Sequence, residues 1–202
     1  MDKGKKRWLL AEMHCHSAKS DGKLKPEEIV DLYEKNGYDV LAITDHEILT
    51  KVNSDKMIII PACEWNTGGI SPFLGHLLIY FLKEMPTSLD DAVSQGAIIC
   101  AAHPITWPWW KRIPPQVKGY EAFSYKLVRK FWILGRIANA LVSFWYGKFY
   151  KIKIAGTDAH KKRDYAKIKF WIFAKPNLED IKQALLEGKV KWEYGEPGRR
   201  EI

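Results

Sequence analysis

The sequence predicts an α/β fold, specifically a distorted TIM-like (β/α)7 barrel. Short, nearly continuous apolar runs alternate with helical patterns along the 202 residues, as is typical of parallel strands that are buried on both faces. Polar residues directly follow several of these runs, and barrels carry their sites at the carboxyl ends of their strands. About seven strands fit in this length, fewer than in the usual barrel, so we expect a compact relative of it.

The predicted strands are runs of apolar and β-branched residues that end at polar residues or turn signals. The second run, YDVLAI, ends at Asp45-His46, and the third, MIIIPA, ends at Cys63-Glu64. The run AIICAA likewise ends at His103-Pro104. The predicted strands are residues 8–11, 38–43, 57–62, 74–82, 97–102, 117–123, 152–155 and 167–174.

The predicted helices begin at residues that favour a helix N-terminus. Pro26 and the two acids that follow it open the first helix, where the helix dipole stabilises negative charge. Ser88 is the candidate N-cap of the second. The third is long and apolar, and Gly135 or Gly147 could interrupt it. The predicted helices are residues 26–36, 88–95, 125–150 and 177–186.

The composition fits one globular domain over residues 1–202, with a loose tail from residue 193. It is 47% apolar and 28% charged, which is ordinary for a globular protein. The three cysteines form neither a disulfide framework nor a CxxC zinc motif, so we expect buried thiols in a reducing compartment. No secretory pattern precedes the first strand, and a cytoplasmic location is expected. The low Gln and Asn content suits a thermophile.

Two histidines stand at the end of the first predicted strand, in the run Met13-His14-Cys15-His16. Side chains alternate across a strand, so His14 and His16 share a face while Cys15 points away. Two imidazoles aimed at one point can bind one metal ion. Asp21 follows in the loop Ser20-Asp21-Gly22.

The remaining four histidines also stand at or near the ends of predicted strands. A single histidine in such a place is more often structural, but the joint pattern of six favours one metal site. Imidazole and carboxylate ligands without thiolates suit Zn, Mn or Fe, and this many of them indicates two to three divalent ions. The candidate ligands are His14, His16, Asp21, His46, Glu64, His76, His103, Asp158 and His160.

The series HxH, SDG, ITDH, a strand-end Glu, a lone His, AHP and GTDAH resembles the PHP (polymerase and histidinol phosphatase) family of metal-dependent phosphoesterases. The resemblance extends from His14 to about Val190 and matches all nine ligand positions of that family in order. Amidohydrolase barrels also begin with HxH but lack the closing DxH and the TDH element, so they are a more distant alternative.

The resemblance implies a distorted seven-stranded barrel and a trinuclear site. His14, His16, Glu64 and Asp158 would hold the first ion and a bridging water that attacks phosphorus. Glu64, His76 and His103 would hold the second ion. Asp21, His46 and His160 would hold the third. A cation to meet the substrate phosphate is expected from Arg112, Lys161, Lys162 or Arg163, which lie in loops after strand ends.

The expected activity is hydrolysis of a phosphoester in a nucleotide or a 5′-phosphorylated oligonucleotide. One alternative is a phosphatase for small metabolites, of the histidinol-phosphate type. Another is a non-catalytic module of the same fold that binds a nucleic-acid enzyme. The substrate would be a phosphorylated small molecule or a short nucleic acid.

Residues 105–175 are strongly basic and aromatic. They contain 16 Lys and Arg against 3 Asp and Glu, and 17 of the 26 aromatic residues. The segment 105–150 could stack on unpaired bases, form a homo-oligomer interface, or bind a membrane surface or partner protein. Residues 131–150 have the length of a membrane span, but Arg136, Asn139 and Ser143 disfavour that interpretation, and a membrane is not the expected partner.

Overall fold

The computed structural model describes residues 4–67, 75–104, 113–126 and 132–194. The strands are β1 (Arg7–Glu12), β2 (Val40–Leu41), β3 (Ile58–Ile59), β4 (Ala62–Asn66), β5 (His76–Tyr80), β6 (Ile98–Ala101), β7 (Gly119–Ser124), β8 (Ile152–Gly156), β9 (Ile168–Ala174) and β10 (Val190–Tyr194). The helices are α1 (Pro26–Lys35), α2 (Leu89–Ser94), α3 (Trp132–Tyr146) and α4 (Leu178–Leu186), and a 3₁₀ turn covers Lys162–Asp164.

The helices begin and end where local chemistry dictates. Ser88 caps α2 as predicted, because its hydroxyl accepts a hydrogen bond from the backbone N–H of Asp91 at 3.0 Å. Asn177 caps α4 through Asp180 in the same way. Helix α3 runs through Gly135 and ends before Gly147, so it is shorter than the predicted helix at its carboxyl end. Residues 127–131 of that prediction lie outside the described residues.

The strands pair in two five-stranded sheets, in the orders β10-β9-β1-β2-β3 and β4-β5-β6-β7-β8. Pairing is parallel for β1-β2-β3 and β6-β7-β8, but antiparallel for β4-β5-β6 and β1-β9-β10. The prediction of parallel strands is therefore wrong for half of the pairs. Only nine residues separate β4 from β5, and a parallel connection needs about a dozen residues or more.

The pairing among the described residues makes two sheets and no closed barrel. The predicted third strand is split into β3 and β4 at Pro61, which has no N–H to donate to a sheet. Two isolated parallel bridges still join the sheets beyond the ends of strands of the first sheet: Cys15, after β1, pairs with Ala159, and His46, after β2, pairs with Glu64. Both bridges lie beside predicted ligands, so the sheets approach each other at the candidate site.

One apolar cluster takes side chains from both sheets. Leu9, Ala11 and Met13 of the first strand region point into it, while Leu10 and Cys15 point to a second cluster that packs against α1. The period of two that the first strand predicts holds from Leu9 to Met13, but Cys15, beyond the end of β1 at Glu12, is out of phase with Leu10. The predicted outward direction of Cys15 still agrees with its burial outside the shared core.

The carboxyl-terminal strand β10 is a structure that the sequence did not predict. Its residues Val190 to Tyr194 pair with β9, although Glu193 and Tyr194 belong to the expected loose tail. Residues 195–202 lie outside the described residues. Within the described part of the chain, no helix has both the length and the apolarity that a bilayer crossing requires.

Candidate metal centre

All six histidines gather with Asp21, Glu64 and Asp158 where the two sheets approach each other. His14 and His16 are fully buried, and their Nε2 atoms lie 3.3 Å apart. The predicted common face of the HxH pair is therefore observed. The nine predicted ligands come from separate loops and strands, so only the folded chain brings them together.

Glu64 lies at the centre of the cluster, and its side chain is almost completely buried. Its Oε2 lies 3.4 Å from His14 Nε2 and 3.1 Å from His16 Nε2. The same oxygen lies 3.4 Å from His46 Nδ1. Its Oε1 lies 2.9 Å from His76 Nδ1 and 3.2 Å from His103 Nε2. One carboxylate therefore faces five imidazoles.

A second, more exposed group forms around Asp21. Its Oδ2 lies 3.1 Å from His160 Nε2 and 3.7 Å from His46 Nε2, and its Oδ1 lies 3.7 Å from His16 Nδ1. His46 stands between the two groups, because one ring nitrogen faces Asp21 and the other faces Glu64. The predicted set of Asp21, His46 and His160 is thus brought together, with His16 beside it.

Asp158 closes the cluster on the opposite side. Its Oδ1 lies 3.4 Å from His16 Nε2 and 3.8 Å from His14 Nε2, and its Oδ2 lies 2.9 Å from the Lys126 Nζ. Sequence reasoning missed Lys126. The signal was available, because Tyr125 and Lys126 follow the end of β7 just as the predicted ligands follow other strands.

The neighbouring carboxylates and burial shift the pKa values of the histidines in the cluster. Burial alone lowers the pKa of His14, but Glu121, Glu64 and Asp158 outweigh it and raise that pKa well above its usual range. The pKa of His16 is raised to about 9, since Asp158 and Glu64 outweigh its burial. Burial lowers the pKa of His46 to about 4, with His16 adding to the effect and Glu64 opposing it. The cluster therefore attracts positive charge at its centre.

The donor set fits divalent metal ions. Nitrogen and oxygen donors without a thiolate suit Zn, Mn or Fe. The buried His16 Nδ1 makes no hydrogen bond. Four overlapping groups of donor atoms are compact enough to hold an ion: His16-Asp21-His46-His160, His14-His16-Asp158, His14-Glu64-His103 and His46-Glu64-His76. His76 and His103, which the resemblance places on one ion, both face Glu64 Oε1, although they belong to different compact groups.

Glu121 supports the cluster from behind and was not predicted. Its Oε1 lies 3.1 Å from His14 Nδ1, and its Oε2 accepts a hydrogen bond from the backbone N–H of His103 at 2.7 Å. A proton held on His14 Nδ1 leaves the Nε2 lone pair free for an ion. This carboxylate–histidine arrangement is how many metal-binding histidines are oriented.

Glu12 joins the ends of β1 and β8 beneath the cluster and was also missed. Its fully buried carboxylate accepts hydrogen bonds from the backbone N–H groups of Met13, His14 and Thr157 and from the Tyr33 hydroxyl, at 2.7 to 3.1 Å. Burial raises the pKa of Glu12, and these hydrogen bonds partly offset the effect. Glu12 thereby fixes the backbone from which His14 and Asp158 project.

Asp45 holds the loop that carries Asp21. Its carboxylate accepts hydrogen bonds from the Ser17 backbone and hydroxyl at 2.6 and 2.5 Å, from the Ser20 hydroxyl at 2.7 Å and from the Thr50 hydroxyl at 2.5 Å. Four donors occupy both oxygens, so Asp45 positions the loop while its neighbour His46 faces the cluster. Within the ITDH motif, Asp45 therefore holds the loop and His46 is the candidate ligand.

Tight backbone packing also shapes the site. A Cβ at Gly156 would lie 2.3 Å from the Cβ of His14, and one at Gly22 would lie 2.2 Å from the carbonyl oxygen of His16. Only glycine fits at these two positions. His103 and Asp158 have positive φ angles of 27° and 49°, an uncommon conformation that concentrates at functional sites.

A cavity of about 310 Å³ opens beside the Asp21 group. Three lysines line it, Lys23, Lys126 and Lys161, together with Asp21, Tyr125, Thr157, Asp158, His160 and Asp164. Of the predicted phosphate-binding cations, Lys161 thus lies at the cavity. Arg163 lies 3.8 Å from Asp164 and does not line it. Lys162 is exposed in the 3₁₀ turn, and Arg112 lies outside the described residues.

The chain is similar in fold to several solved structures. No protein-family model and no curated protein matches the sequence. A two-domain protein from Bacteroides vulgatus that contains a predicted PHP-like metal-dependent phosphoesterase matches with a TM-score of 0.71 and 20% identity. The match covers 96% of this chain and 66% of that chain. The chain has the fold of the PHP-like phosphoesterases. The resemblance of its motifs to that family is confirmed at the level of the fold.

Two further structures match at lower similarity, each with a TM-score of 0.51. One is described as a candidate metal-dependent phosphoesterase from Bifidobacterium adolescentis, at 12% identity, covering 90% of this chain and 96% of that one. The other is an amidohydrolase from Chromobacterium violaceum with bound sulfate, at 13% identity, covering 95% of this chain and 99% of that one. The phosphoesterase-like and amidohydrolase-like alternatives thus both have structural neighbours.

The role of Glu12 can be measured as stability. The substitution Glu12→Leu would leave three backbone N–H groups and the Tyr33 hydroxyl without their acceptor. We expect it to lower the free energy of unfolding by at least about 4 kcal/mol in urea denaturation, since each of the four buried donors left unpaired costs about 1–3 kcal/mol. Tyr33→Phe, which removes one donor, should cost about 1 kcal/mol. If the Glu12→Leu protein were as stable as the wild type, Glu12 would not stabilise the backbone in this way.

Proposed function

We propose that the chain is a metal-dependent phosphoesterase of the PHP type that acts on a nucleotide or a 5′-phosphorylated oligonucleotide. The observation that carries the proposal is the cluster in which the buried Glu64 carboxylate faces five imidazoles. Other members of this cluster, Asp21, Asp158 and His160, line a cavity together with three lysines. The carboxylate and imidazoles suit divalent ions, and the lysines of the cavity suit a phosphate group.

The proposed centre holds two to three ions. His14, His16, Glu64 and Asp158 would hold the first. Glu64 would be shared with a second ion, next to His76 and His103, and Asp21, His46 and His160 would hold the third. When bound, the ions would polarise the phosphoryl group and lower the pKa of a water that attacks it.

The residues of the chain would orient these ligands and the substrate. Glu121 keeps a proton on His14 Nδ1, and the backbone carbonyl of Asp158 does the same for His160 Nδ1, at 2.9 Å. Lys126 remains cationic, because burial lowers its pKa but Asp158, together with Glu64 and Asp21, raises it by more. Lys126 and Lys161 would then attract the substrate phosphate into the cavity, and Tyr125 offers a ring beside them for a base.

We also propose that the two sheets are an interrupted form of the PHP barrel. The Cys15–Ala159 and His46–Glu64 bridges, together with the apolar cluster shared by both sheets, support this interpretation. The interruptions would lie between β1 and β8 and between β3 and β4, where the candidate ligands project.

A panel of substrates tests the activity. Purified protein supplied with Mn²⁺ or Zn²⁺ should release phosphate or nucleotide from mononucleotides or short 5′-phosphorylated DNA and RNA, and more slowly from histidinol phosphate. His14→Ala and Asp158→Ala should each abolish release, whereas Cys15→Ala should retain it, since this thiol faces the Ala42 carbonyl away from the centre. Failure with every substrate and metal would contradict the proposed function.

The contribution of Lys126 can be separated from metal binding. We expect Lys126→Met to reduce kcat/KM about 10- to 100-fold, because a hydrogen bond to a charged group contributes about 1.5–3 kcal/mol. The metal content should stay unchanged, and Lys118→Met, an exposed lysine away from the cavity, should have no effect. Unchanged kcat/KM in Lys126→Met would exclude a role in phosphate binding.

A further inference from the structure

Helix α3 presents most of its large apolar residues to solvent, while its uncharged polar residues Asn139 and Ser143 face the protein. Six large apolar residues, Ile133, Leu134, Ile137, Leu141, Phe144 and Trp145, are between 48% and 68% exposed. Phe149, just after the helix, is 79% exposed. The described helix contains one charged residue, Arg136. This outward apolar face of residues 133–149 is the reverse of an ordinary surface helix.

The polar residues of α3 fix this orientation. The Asn139 side chain accepts a hydrogen bond from the Ser124 N–H at 3.1 Å and donates one to the Ser124 carbonyl at 3.2 Å. The Ser143 hydroxyl donates to the Ala122 carbonyl at 3.1 Å. Rotation of the helix to bury its apolar side would break these bonds to β7. The outward apolar face is therefore held in place by the fold.

The described part of the segment that carries this face exposes only positive charge, although Glu193 of β10 lies near Arg136 and Asn139, and Glu187 lies near Lys148 and Lys151. All three acids of residues 105–175, Glu121, Asp158 and Asp164, are buried. The exposed charges in the described part of that segment are therefore positive. Lys148 lies over the rings of Phe144 and Trp145, with its Nζ 4.2 Å and 5.2 Å from their centroids, and Lys151 follows. Aromatic residues next to lysines are typical of the boundary between lipid and water.

We propose that the outward apolar face of α3 binds the surface of an anionic phospholipid bilayer. A helix of 15 residues is about 22 Å long, shorter than the roughly 30 Å hydrocarbon core, so it would lie in the interface rather than cross it. The aliphatic side chains would enter the headgroup boundary, and the lysines would contact lipid phosphates.

Two other occupants fit the observations less well. A second copy docked on the same face would bring equal positive charges together, and the segment exposes no acids to pair with them. A single-stranded nucleic acid would need aromatic rings for stacking, but four of the six outward helix residues are aliphatic. An anionic bilayer would accommodate the apolar side chains of α3 and would also attract the lysines beside them.

Vesicle sedimentation tests the proposal with the full chain. The protein should pellet with vesicles of phosphatidylcholine and phosphatidylglycerol, and at least 10-fold less with phosphatidylcholine alone. Added salt should weaken binding, since the attraction is partly electrostatic. The combined variant Leu134→Ser, Leu141→Ser, Trp145→Ser should lose binding at least 10-fold, and so should Lys148→Glu with Lys151→Glu. Circular dichroism and the melting temperature check that each variant is folded.

The matched control is Ile48→Ser with Val93→Ser, which removes two exposed apolar residues elsewhere and should leave binding unchanged. Absence of binding to anionic vesicles would overturn the proposal. It would also be overturned if the apolar variant instead converted a dimer to a monomer in light scattering, or abolished binding of a single-stranded oligonucleotide without affecting vesicles. None of these measurements depends on phosphoesterase activity.

Discussion

The contact of one buried carboxylate with five imidazoles is the constraint on which the rest of the site depends. Glu64 is almost completely buried, and burial alone would raise its pKa. The surrounding histidines, His14 first, outweigh burial and hold the Glu64 pKa well below its usual range. A buried negative charge of this kind requires positive charge around it, either from protons on histidines or from metal ions.

Three acids that are not candidate metal ligands support the site. Glu12, Asp45 and Glu121 each accept hydrogen bonds from the backbone near a candidate ligand, so their role is to hold strand ends and loops in register. The cost of burying these carboxylates is offset by the donors around them. Glu121 is also one of the three buried acids of residues 105–175, with Asp158 and Asp164, so the exposed charges in the described part of that segment are positive.

The sequence predicted the candidate ligands because strand periodicity and strand ends are local signals. His14 and His16 share a face by the period of two, and Asp158 and His160 follow a recognisable apolar strand. Glu12 and Glu121 gave no such signal, since a single acid in an apolar run does not reveal what will donate to it. The antiparallel strands were missed because apolar runs of equal length do not show their direction. The face that α3 buries depends on Asn139 and Ser143 meeting β7, which only the tertiary structure reveals.

The most direct test of the account is to locate the metal ions by anomalous diffraction from crystals grown with Mn²⁺ or Zn²⁺. The account predicts at least two peaks that both lie within coordination distance of Glu64, together with binding by His14, His16 and Asp158. In Glu64→Gln crystals these peaks should be lost or strongly weakened. A single peak away from Glu64, or an unchanged pattern in Glu64→Gln, would contradict the central role of this carboxylate.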